Sequence, residues 1–130
     1  MALATNRSVV LLLLMMVLMA VLNPTMATVH TVGDGAGWTI GAVDYQEWAA
    51  SQTFRVGDFL DFHYEEDFHN VLRVRKQQFE ACDKSKPIGF YMSGSDSIFL
   101  RETGPQYFIC GVANHCHLNM KVSINVTARS

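Results

Sequence analysis

The segment Cys110–Met120 constrains the fold more than any other part of the chain, because it concentrates metal-binding side chains between two strand-like runs. Its two thiols, two imidazoles and one thioether belong to Cys110, Cys116, His115, His117 and Met120. Cys110, His115 and Met120 recur at intervals of five residues. Sulfur and imidazole donors suit copper, and a thiolate with two imidazoles and a weak axial thioether is the ligand set of a blue electron-transfer site. The loop offers one usable imidazole, so a second histidine is expected from elsewhere in the chain.

Most of the remaining chain has the pattern of short β-strands. In Met120–Val126, the clearest case, Val122, Ile124 and Val126 share one face and polar residues occupy the other, which is typical of a strand with one solvated face. Further strand-like runs cover residues 28–32, 54–56, 59–64, 69–75, 97–100 and 106–110. Their aromatic and β-branched residues, bounded by turn residues, favour strands over helices.

Helical signals are sparse. Asp44–Ala50 is the one stretch with helical character, and Asp44 is a candidate cap for it. Residues 79–87 are expected to be irregular, since Pro87 limits any helix there. Short strands separated by Gly, Pro and Asp turns over about 100 residues therefore predict an all-β fold, a two-sheet antiparallel sandwich with one or two short helices.

The first 27 residues have the pattern of a secretory signal peptide. Arg7 is followed by 14 consecutive apolar residues, Val9–Leu22, and small residues then lead to Ala27. A membrane anchor is the weaker interpretation, because crossing a bilayer takes about 20 apolar residues. We expect residues 1–27 to be removed, Thr28 to be the mature N-terminus to within a residue or two, and residues 28–130 to form one domain.

Three cysteines, Cys82, Cys110 and Cys116, lie in the expected mature chain. A secreted domain normally oxidises its thiols in pairs, so three cysteines imply one disulfide and one thiol with another role. Three pairings are open, and if Cys110 binds a metal the bridge is Cys82–Cys116. A buried free cysteine or a link to another chain is the alternative. A zinc site made of the three cysteines and His115 is also chemically possible, but it leaves Met120 without a role.

Charge and motifs argue against several functional classes. Residues 28–130 carry nine basic and 12 acidic residues, a net charge of about −3 with neutral histidines. The basic cluster Arg73–Lys76 has the alternation of one solvated strand face. We therefore expect neither nucleic acid nor an anionic membrane surface as a partner. The chain also contains no Walker loop, dinucleotide-binding glycine motif or G-x-S-x-G elbow, so no enzyme class is indicated.

Several segments together resemble the phytocyanins, the plant-secreted branch of the cupredoxins. The resemblance rests on Phe68–Val71, Phe79–Asp83, Tyr107–Cys110, His115–Cys116 and Met120–Val122. It extends over the whole expected mature chain, including the opening stretch Val32–Trp38. It implies a Greek-key, cupredoxin-like sandwich that binds one copper ion, cycling between Cu(I) and Cu(II).

The resemblance also assigns roles to individual residues. Carried over by position, the copper ligands are His69, Cys110, His115 and Met120. The family's disulfide corresponds to Cys82–Cys116, which ties the ligand loop to the segment before it. Asn70, beside His69, is a candidate for a hydrogen bond that links the two ligand segments. Stellacyanins place glutamine at the axial position, so Met120 makes the chain similar to a plantacyanin (basic blue protein) or a short uclacyanin.

These assignments predict a secreted blue (type 1) copper protein that carries single electrons and is not an enzyme. The expected partner is a small molecule or a protein of the apoplast or cell wall, and the protein is expected to be a monomer without a stable membrane anchor. The alternative is an extracellular signalling or recognition module in which copper redox is secondary. Asn125, in the sequon Asn125-Val126-Thr127 on the polar side of the last strand, is a glycosylation candidate.

Overall fold

The computed structural model of the protein describes residues 4–21 and 26–129. Within these ranges the strands form two sheets, with three α-helices outside them. The strands are β1 Val29–Thr31, β2 Phe54–Arg55, β3 Phe59–His63, β4 Val71–Val74, β5 Gly89–Tyr91, β6 Ser95–Phe99, β7 Gly104–Ile109 and β8 Lys121–Thr127. The helices are α1 Arg7–Val21, α2 Tyr45–Ala50 and α3 Lys76–Ala81.

The smaller sheet has the strand order β1-β3-β6, and the larger sheet has the order β2-β8-β7-β4-β5. The pairs β1–β3 and β2–β8 are parallel, and all other neighbours are antiparallel. The predicted all-β, two-sheet architecture is confirmed, but the sheets are mixed rather than wholly antiparallel. A parallel pair needs a long crossover connection, and the segment between β1 and β3, which contains α2 and β2, provides one.

The main core is formed by side chains from both sheets. Phe62 of β3 packs against Phe108 of β7 with ring centroids 5.5 Å apart, and Trp38 meets Phe62 edge-on at 5.1 Å. The alternation predicted for the last strand is present in β8, where the buried residues are Val122, Ile124 and Val126. Burying one such side chain contributes roughly 1.5–3 kcal/mol, so this pattern determines which face of β8 meets the core.

The helix predicted at Asp44–Ala50 is present as α2. The Asp44 carboxylate accepts hydrogen bonds from the backbone N–H groups of Gln46 and Glu47, at 3.1 and 3.0 Å. These bonds satisfy two of the donors that every helix start leaves free. The Gln46 side chain in turn accepts a bond from the backbone N–H of Ser123, at 2.8 Å, which fastens α2 to β8.

The expectation that residues 79–87 are irregular is wrong at its start. α3 extends to Ala81 and ends at Cys82, whose left-handed backbone (φ 50°) turns the chain out of the helix well before Pro87. The Phe79 ring lies 5.3 Å from the Tyr107 ring, and the ammonium group of Lys121 lies 4.5 Å from the Phe79 ring. Packing against the larger sheet therefore stabilises a helix that the local sequence pattern does not predict.

The strand predicted at residues 69–75 begins later than expected. The backbone N–H groups of Phe68 and His69 both donate to the Glu65 carbonyl, at 3.0 Å each, which closes a turn before the strand. β4 consequently starts at Val71, and His69 lies in the loop between β3 and β4. The strand β5 was not predicted, because its three residues carry too short a pattern to detect.

The N-terminal apolar run forms α1. Neither α1 nor any other helix within residues 4–21 and 26–129 is long and apolar enough to cross a membrane. Residues 1–3 and 22–25 of the predicted signal segment lie outside the described residues. The division into a removed segment 1–27 and a domain 28–130 stays a prediction.

Candidate metal centre

Three side chains from two loops converge at one end of the sandwich. His69 comes from the β3–β4 loop, Cys110 directly follows β7, and His115 lies in the β7–β8 loop. One ligand atom from each lies within 4.8 Å of the other two, and among the described residues no other His, Cys, Asp and Glu side chains form such a group. Cys110 and His69 are only 1% and 9% exposed. Two of the three donors are therefore shielded from water, whereas His115 is half-buried.

The separations between the donor atoms fit a three-coordinate metal. The two Nδ1 atoms of His69 and His115 are 3.2 Å apart, and Cys110 Sγ lies 4.0 and 3.6 Å from them. For a first-row metal about 2.0 Å from nitrogen and about 2.3 Å from sulfur, trigonal ligation puts the nitrogens about 3.5 Å apart and the sulfur about 3.7 Å from each. A trigonal His₂Cys set is the plane of a blue copper site.

Met120 adjoins this group. The Cys110 N–H donates to the Met120 carbonyl and the Met120 N–H donates to the His115 carbonyl, each at 3.0 Å. The Met120 side chain is fully buried and belongs to the same core cluster as Cys110. These backbone bonds close the β7–β8 loop on itself and hold the thioether-bearing residue next to the other donors.

Asn70 connects the two loops that carry the donors. Its Oδ1 accepts a hydrogen bond from the Gly111 N–H at 2.7 Å, and its carbonyl accepts one from Trp38 Nε1 at 2.9 Å. A Cβ atom at Gly111 would lie 2.5 Å from Leu72 Cδ1, so a larger residue there would force the buried Leu72 side chain or the loop to shift. The contribution of Trp38 and Gly111 was not predicted, and the only sequence signal for it is a glycine directly after the first cysteine of the loop.

Replacing Asn70 with alanine is expected to lower the free energy of unfolding of the metal-free protein by about 1 kcal/mol. The substitution removes the acceptor of the half-buried Gly111 N–H without changing any donor to the metal. Asn70→Asp is the matched control, because it keeps an oxygen at the same place. Urea denaturation of both variants measures the difference, and an equal loss in both would show that the hydrogen bond is not what matters.

The disulfide prediction is confirmed. Cys82 and Cys116 are bonded, with their Cα atoms 5.7 Å apart, and Cys110 is the free cysteine. The bridge joins the end of α3 to the short 3₁₀ turn that follows His115. The alternative zinc site is wrong, because two of its three sulfur atoms are consumed by the bridge. Lys84 Nζ adds a second link to the ligand loop through the Ala113 carbonyl, at 3.1 Å.

In the metal-free site, the environment of the donors favours the uncharged forms of the His69 imidazole and the Cys110 thiol. Burial lowers the pKa of His69, and the neighbouring His115 lowers it further, against an opposing effect of Glu65. Burial raises the pKa of the Cys110 thiol, against the hydrogen bonds from the backbone of Asn70 and Val112. His69 is thus available as a neutral ligand at pH 7, whereas Cys110 must release its proton to ligate. Metal binding to the thiolate is therefore favoured by rising pH.

The other histidines lie outside the group. His117 and His63 are exposed, and His63 Nδ1 lies 3.3 Å from the Ser95 hydroxyl. His30 is buried, but it contacts Asp58 and Gln52 instead of a metal donor. None of these three residues belongs to the group formed by His69, Cys110 and His115.

Comparison with known proteins identifies the family. Residues 38–120 match the family model described as the plastocyanin-like domain. The chain is 48% identical over 107 residues to stellacyanin from Toxicodendron vernicifluum, an alignment that covers 79% of this chain and 100% of the relative. The chain is a phytocyanin, a member of the cupredoxins. The resemblance stated from the sequence is confirmed.

Further relatives agree on the fold and on the cofactor. The structure of Cu²⁺ cucumber stellacyanin aligns with a TM-score of 0.72 at 38% identity, over 81% of this phytocyanin and 100% of that chain. A blue copper protein from Pisum sativum is 43% identical over 116 residues, which is 87% of this chain and 61% of the longer relative. The predicted cupredoxin sandwich and the predicted cofactor, one copper ion, are confirmed by the family together with the His–Cys–His group. The relatives support the role of a cupredoxin electron carrier.

Proposed function

We propose that this phytocyanin is a secreted, monomeric blue copper protein that carries single electrons between extracellular partners. The proposed ligands are His69, Cys110, His115 and Met120. The observation that carries the proposal is the trigonal set of one thiol and two imidazoles within 4.8 Å, next to a buried methionine. Bound copper would supply one-electron chemistry between Cu(I) and Cu(II).

The chain's own residues hold the donors at constant separations. Cys110 follows the central strand β7, and Met120 precedes β8, so the sheet holds both ends of the ligand loop. The bond from Gly111 N–H to Asn70 ties the loop to His69's segment, and the disulfide at Cys116 ties it to α3. A site that keeps one geometry in both oxidation states requires little reorganisation, which favours fast electron transfer. Four protein ligands also leave no open position for a substrate, so we do not expect an enzyme.

Addition of Cu(II) to the purified protein tests this function directly. We expect an intense visible band from charge transfer between the Cys110 thiolate and copper, which saturates at one copper per chain. The buried, preformed donor set is the reason for a single tight site. A protein that binds copper but stays colourless, or that takes up none, would overturn the proposal.

The second candidate function, an extracellular recognition module, is favoured by one surface feature. Ile88, Phe90 and Met92 alternate along β5 and its flanks, and each is more than half exposed. β5 is an edge strand of the larger sheet, so these apolar side chains and the strand's free edge face solvent together. Such a stripe suits contact with another macromolecule. This function would not need copper to change its oxidation state.

His115 is the proposed exit for electrons, since it is the ligand with the more exposed side chain and Leu118, 49% exposed, lies one turn beyond it. Leu118→Glu is expected to slow electron transfer to a protein partner roughly tenfold, an effect of about 1.4 kcal/mol on the encounter complex. Phe99→Glu is the matched control, because Phe99 is 44% exposed but pairs with Phe59 at the other end of β3.

Stopped-flow absorbance at the copper band measures both rates against the same protein oxidant. The copper spectrum should be unchanged in both variants, which separates a docking effect from damage to the site. Equal rates for wild type and Leu118→Glu would show that electrons leave elsewhere.

Secretion is supported by the disulfide, which is stable in oxidising compartments.

Asn125 lies in β8 with its side chain exposed, so a glycan attached to it would not clash with the core. Protein made in a eukaryotic secretory host is expected to carry a glycan at Asn125, and the Asn125→Gln control should lack it. Mass spectrometry of the peptide containing Asn125 decides the prediction: a bare peptide mass from the wild type means that the sequon is unused.

A further inference from the structure

A buried carboxylate lies at the end of β3 remote from the metal centre. Asp58 is 1% exposed and accepts four hydrogen bonds. Its Oδ1 accepts from Thr28 N–H at 3.0 Å and from the Arg129 guanidinium, and its Oδ2 accepts from Arg55 N–H at 2.9 Å and faces His30 Nε2 at 3.0 Å. Burial raises the pKa of Asp58, but the bonds from His30, Thr28 and Arg55 outweigh it and hold the pKa below its usual range. The group is therefore a buried carboxylate anion.

One of these four donors differs from the others. The nitrogen of Thr28 is an amide in the full chain, but it is the atom that becomes an α-amino group if the chain is cut after Ala27. We propose that secretory processing ends at the Ala27–Thr28 bond and that the new α-ammonium group of Thr28 forms an ion pair with Asp58. This inference rests on the secretion proposed above, and it does not depend on the copper site.

The cleavage step is a hydrolysis by the signal peptidase of the secretory pathway. Water breaks the Ala27–Thr28 peptide bond: its hydroxyl joins the Ala27 carbonyl carbon, and its remaining hydrogen joins the Thr28 nitrogen. The amine then takes one proton from solvent. Ala27 and Thr28 are both exposed, so the bond between them is accessible and water can solvate the part of the ammonium group that Asp58 does not contact.

The position of Thr28 is determined by the strand that follows it. The Phe59 N–H donates to the Thr28 carbonyl at 2.9 Å, and Val29 is the partner of Phe59 in the parallel pair β1–β3. Consecutive Cα atoms are about 3.8 Å apart, so a cut one residue earlier would place the ammonium group on Ala27, one residue away from the nitrogen that contacts the carboxylate. A cut one residue later would remove the donor. A chain that begins at Thr28 therefore brings its terminal charge into direct hydrogen-bonding contact with Asp58.

Arg129 adapts to the cut without losing its other contacts. Its Nη1 donates to the Met26 carbonyl at 3.1 Å, a bond that disappears with residues 1–27. Its Nε donates to the Val56 carbonyl at 3.1 Å and its Nη2 contacts Asp58, and both bonds remain. Arg129 and the ammonium group then share Asp58 Oδ1. Removing the Asp58 anion should lower the pKa of the α-amino group, whereas removing the Arg129 cation should raise it.

The test begins with the N-terminus of protein secreted by a eukaryotic host. We expect a free amine on Thr28, found by mass spectrometry of the terminal peptide. The pKa of this amine is then measured by NMR titration, with the His30 ring followed separately. Asp58→Asn should lower that pKa because the anion is lost. Arg129→Gln should raise it because the competing cation is lost, and this variant serves if Asp58→Asn does not fold.

A chain that retains Ala27 as its first residue, released from a fusion protein, is the matched control. Its amine pKa should respond much less to either substitution, because the amine lies one residue farther from Asp58 and Arg129. Secretion with a different N-terminus would overturn the inference but not the secretory route, whereas retention of residues 1–27 would overturn both. A Thr28 amine whose pKa is the same in wild type and both variants would refute the ion pair. The visible copper band, measured in every variant, reports the copper function independently.

Discussion

Replacing Cys110 with serine is expected to abolish the visible band of the copper-loaded protein and to leave the fold intact. The band requires a thiolate bound to copper, and a serine hydroxyl stays protonated and is a hard, weak ligand by comparison. The serine side chain has nearly the same shape as that of cysteine, so the core should be retained. Cys110 is not part of the disulfide, so the Cys82–Cys116 bridge should also remain. Visible absorption and far-ultraviolet circular dichroism measure the two halves of this expectation.

His117→Ala is the control for Cys110→Ser. His117 is exposed and lies two residues from His115, but it is outside the group of donors. Its loss should leave the band at full intensity with one copper per chain. A band that persists in Cys110→Ser, or vanishes in His117→Ala, would contradict the ligand assignment.

The same Cys110→Ser protein separates the two candidate functions. Without the thiolate the site loses its fast redox chemistry, whereas the apolar stripe of Ile88, Phe90 and Met92 lies on a different loop and strand and stays intact. A physiological activity that survives in Cys110→Ser therefore belongs to the recognition module. An activity that disappears with the band belongs to the electron carrier.

The metal centre was the part of this protein most accessible from sequence, and the reason is chemical. Cys110, His115 and Met120 are soft or borderline donors at regular spacing in one loop, and few other functions need that combination. His69 lies 41 residues before Cys110 in sequence, and its role came from the resemblance to a family, because no local pattern distinguishes it from His30 or the other histidines. Its meeting with the loop depends on how β4 pairs with β7.

Strands were predictable from sequence where one face is exposed to solvent and the other is buried in the core. β8 carries that alternation over its whole length, and its predicted core residues are buried. α3 was missed because its stability comes from contacts that are distant in sequence, such as Phe79 on Tyr107. The parallel pairs β1–β3 and β2–β8 were missed for a related reason: strand direction depends on the route of the connections, which local patterns do not encode.

The buried charge at Asp58 was also missed from sequence. Asp58 follows a glycine between two strands and has the appearance of an ordinary turn residue. Its partners come from both ends of the described domain, Thr28 and Arg129, and from β1 through His30. No local sequence pattern predicts that these side chains contact one another, since each residue alone is typical of a solvated surface.

Removing the Cys82–Cys116 disulfide is expected to have the largest effect on stability of any change proposed for this chain. The two cysteines are 34 residues apart, and a loop of that size constrains the unfolded chain by about 3–4 kcal/mol in the chain-entropy model. The double variant Cys82→Ala/Cys116→Ala avoids a free thiol that would compete with Cys110 for copper. Urea denaturation of the metal-free protein should show the loss as a lower midpoint.

The double variant should also loosen the ligand loop more than it disturbs the main core. Cys116 packs in a small cluster outside the main core, with Leu72, Val74 and Ile109. Without the bridge, the turn after His115 is held by that packing and by the bond from Lys84 to Ala113. Copper should therefore still bind through Cys110, but with a weaker affinity and a broader visible band. A variant that unfolds at the same urea concentration as the wild type would show that packing alone, and not the covalent link, holds the ligand loop to α3.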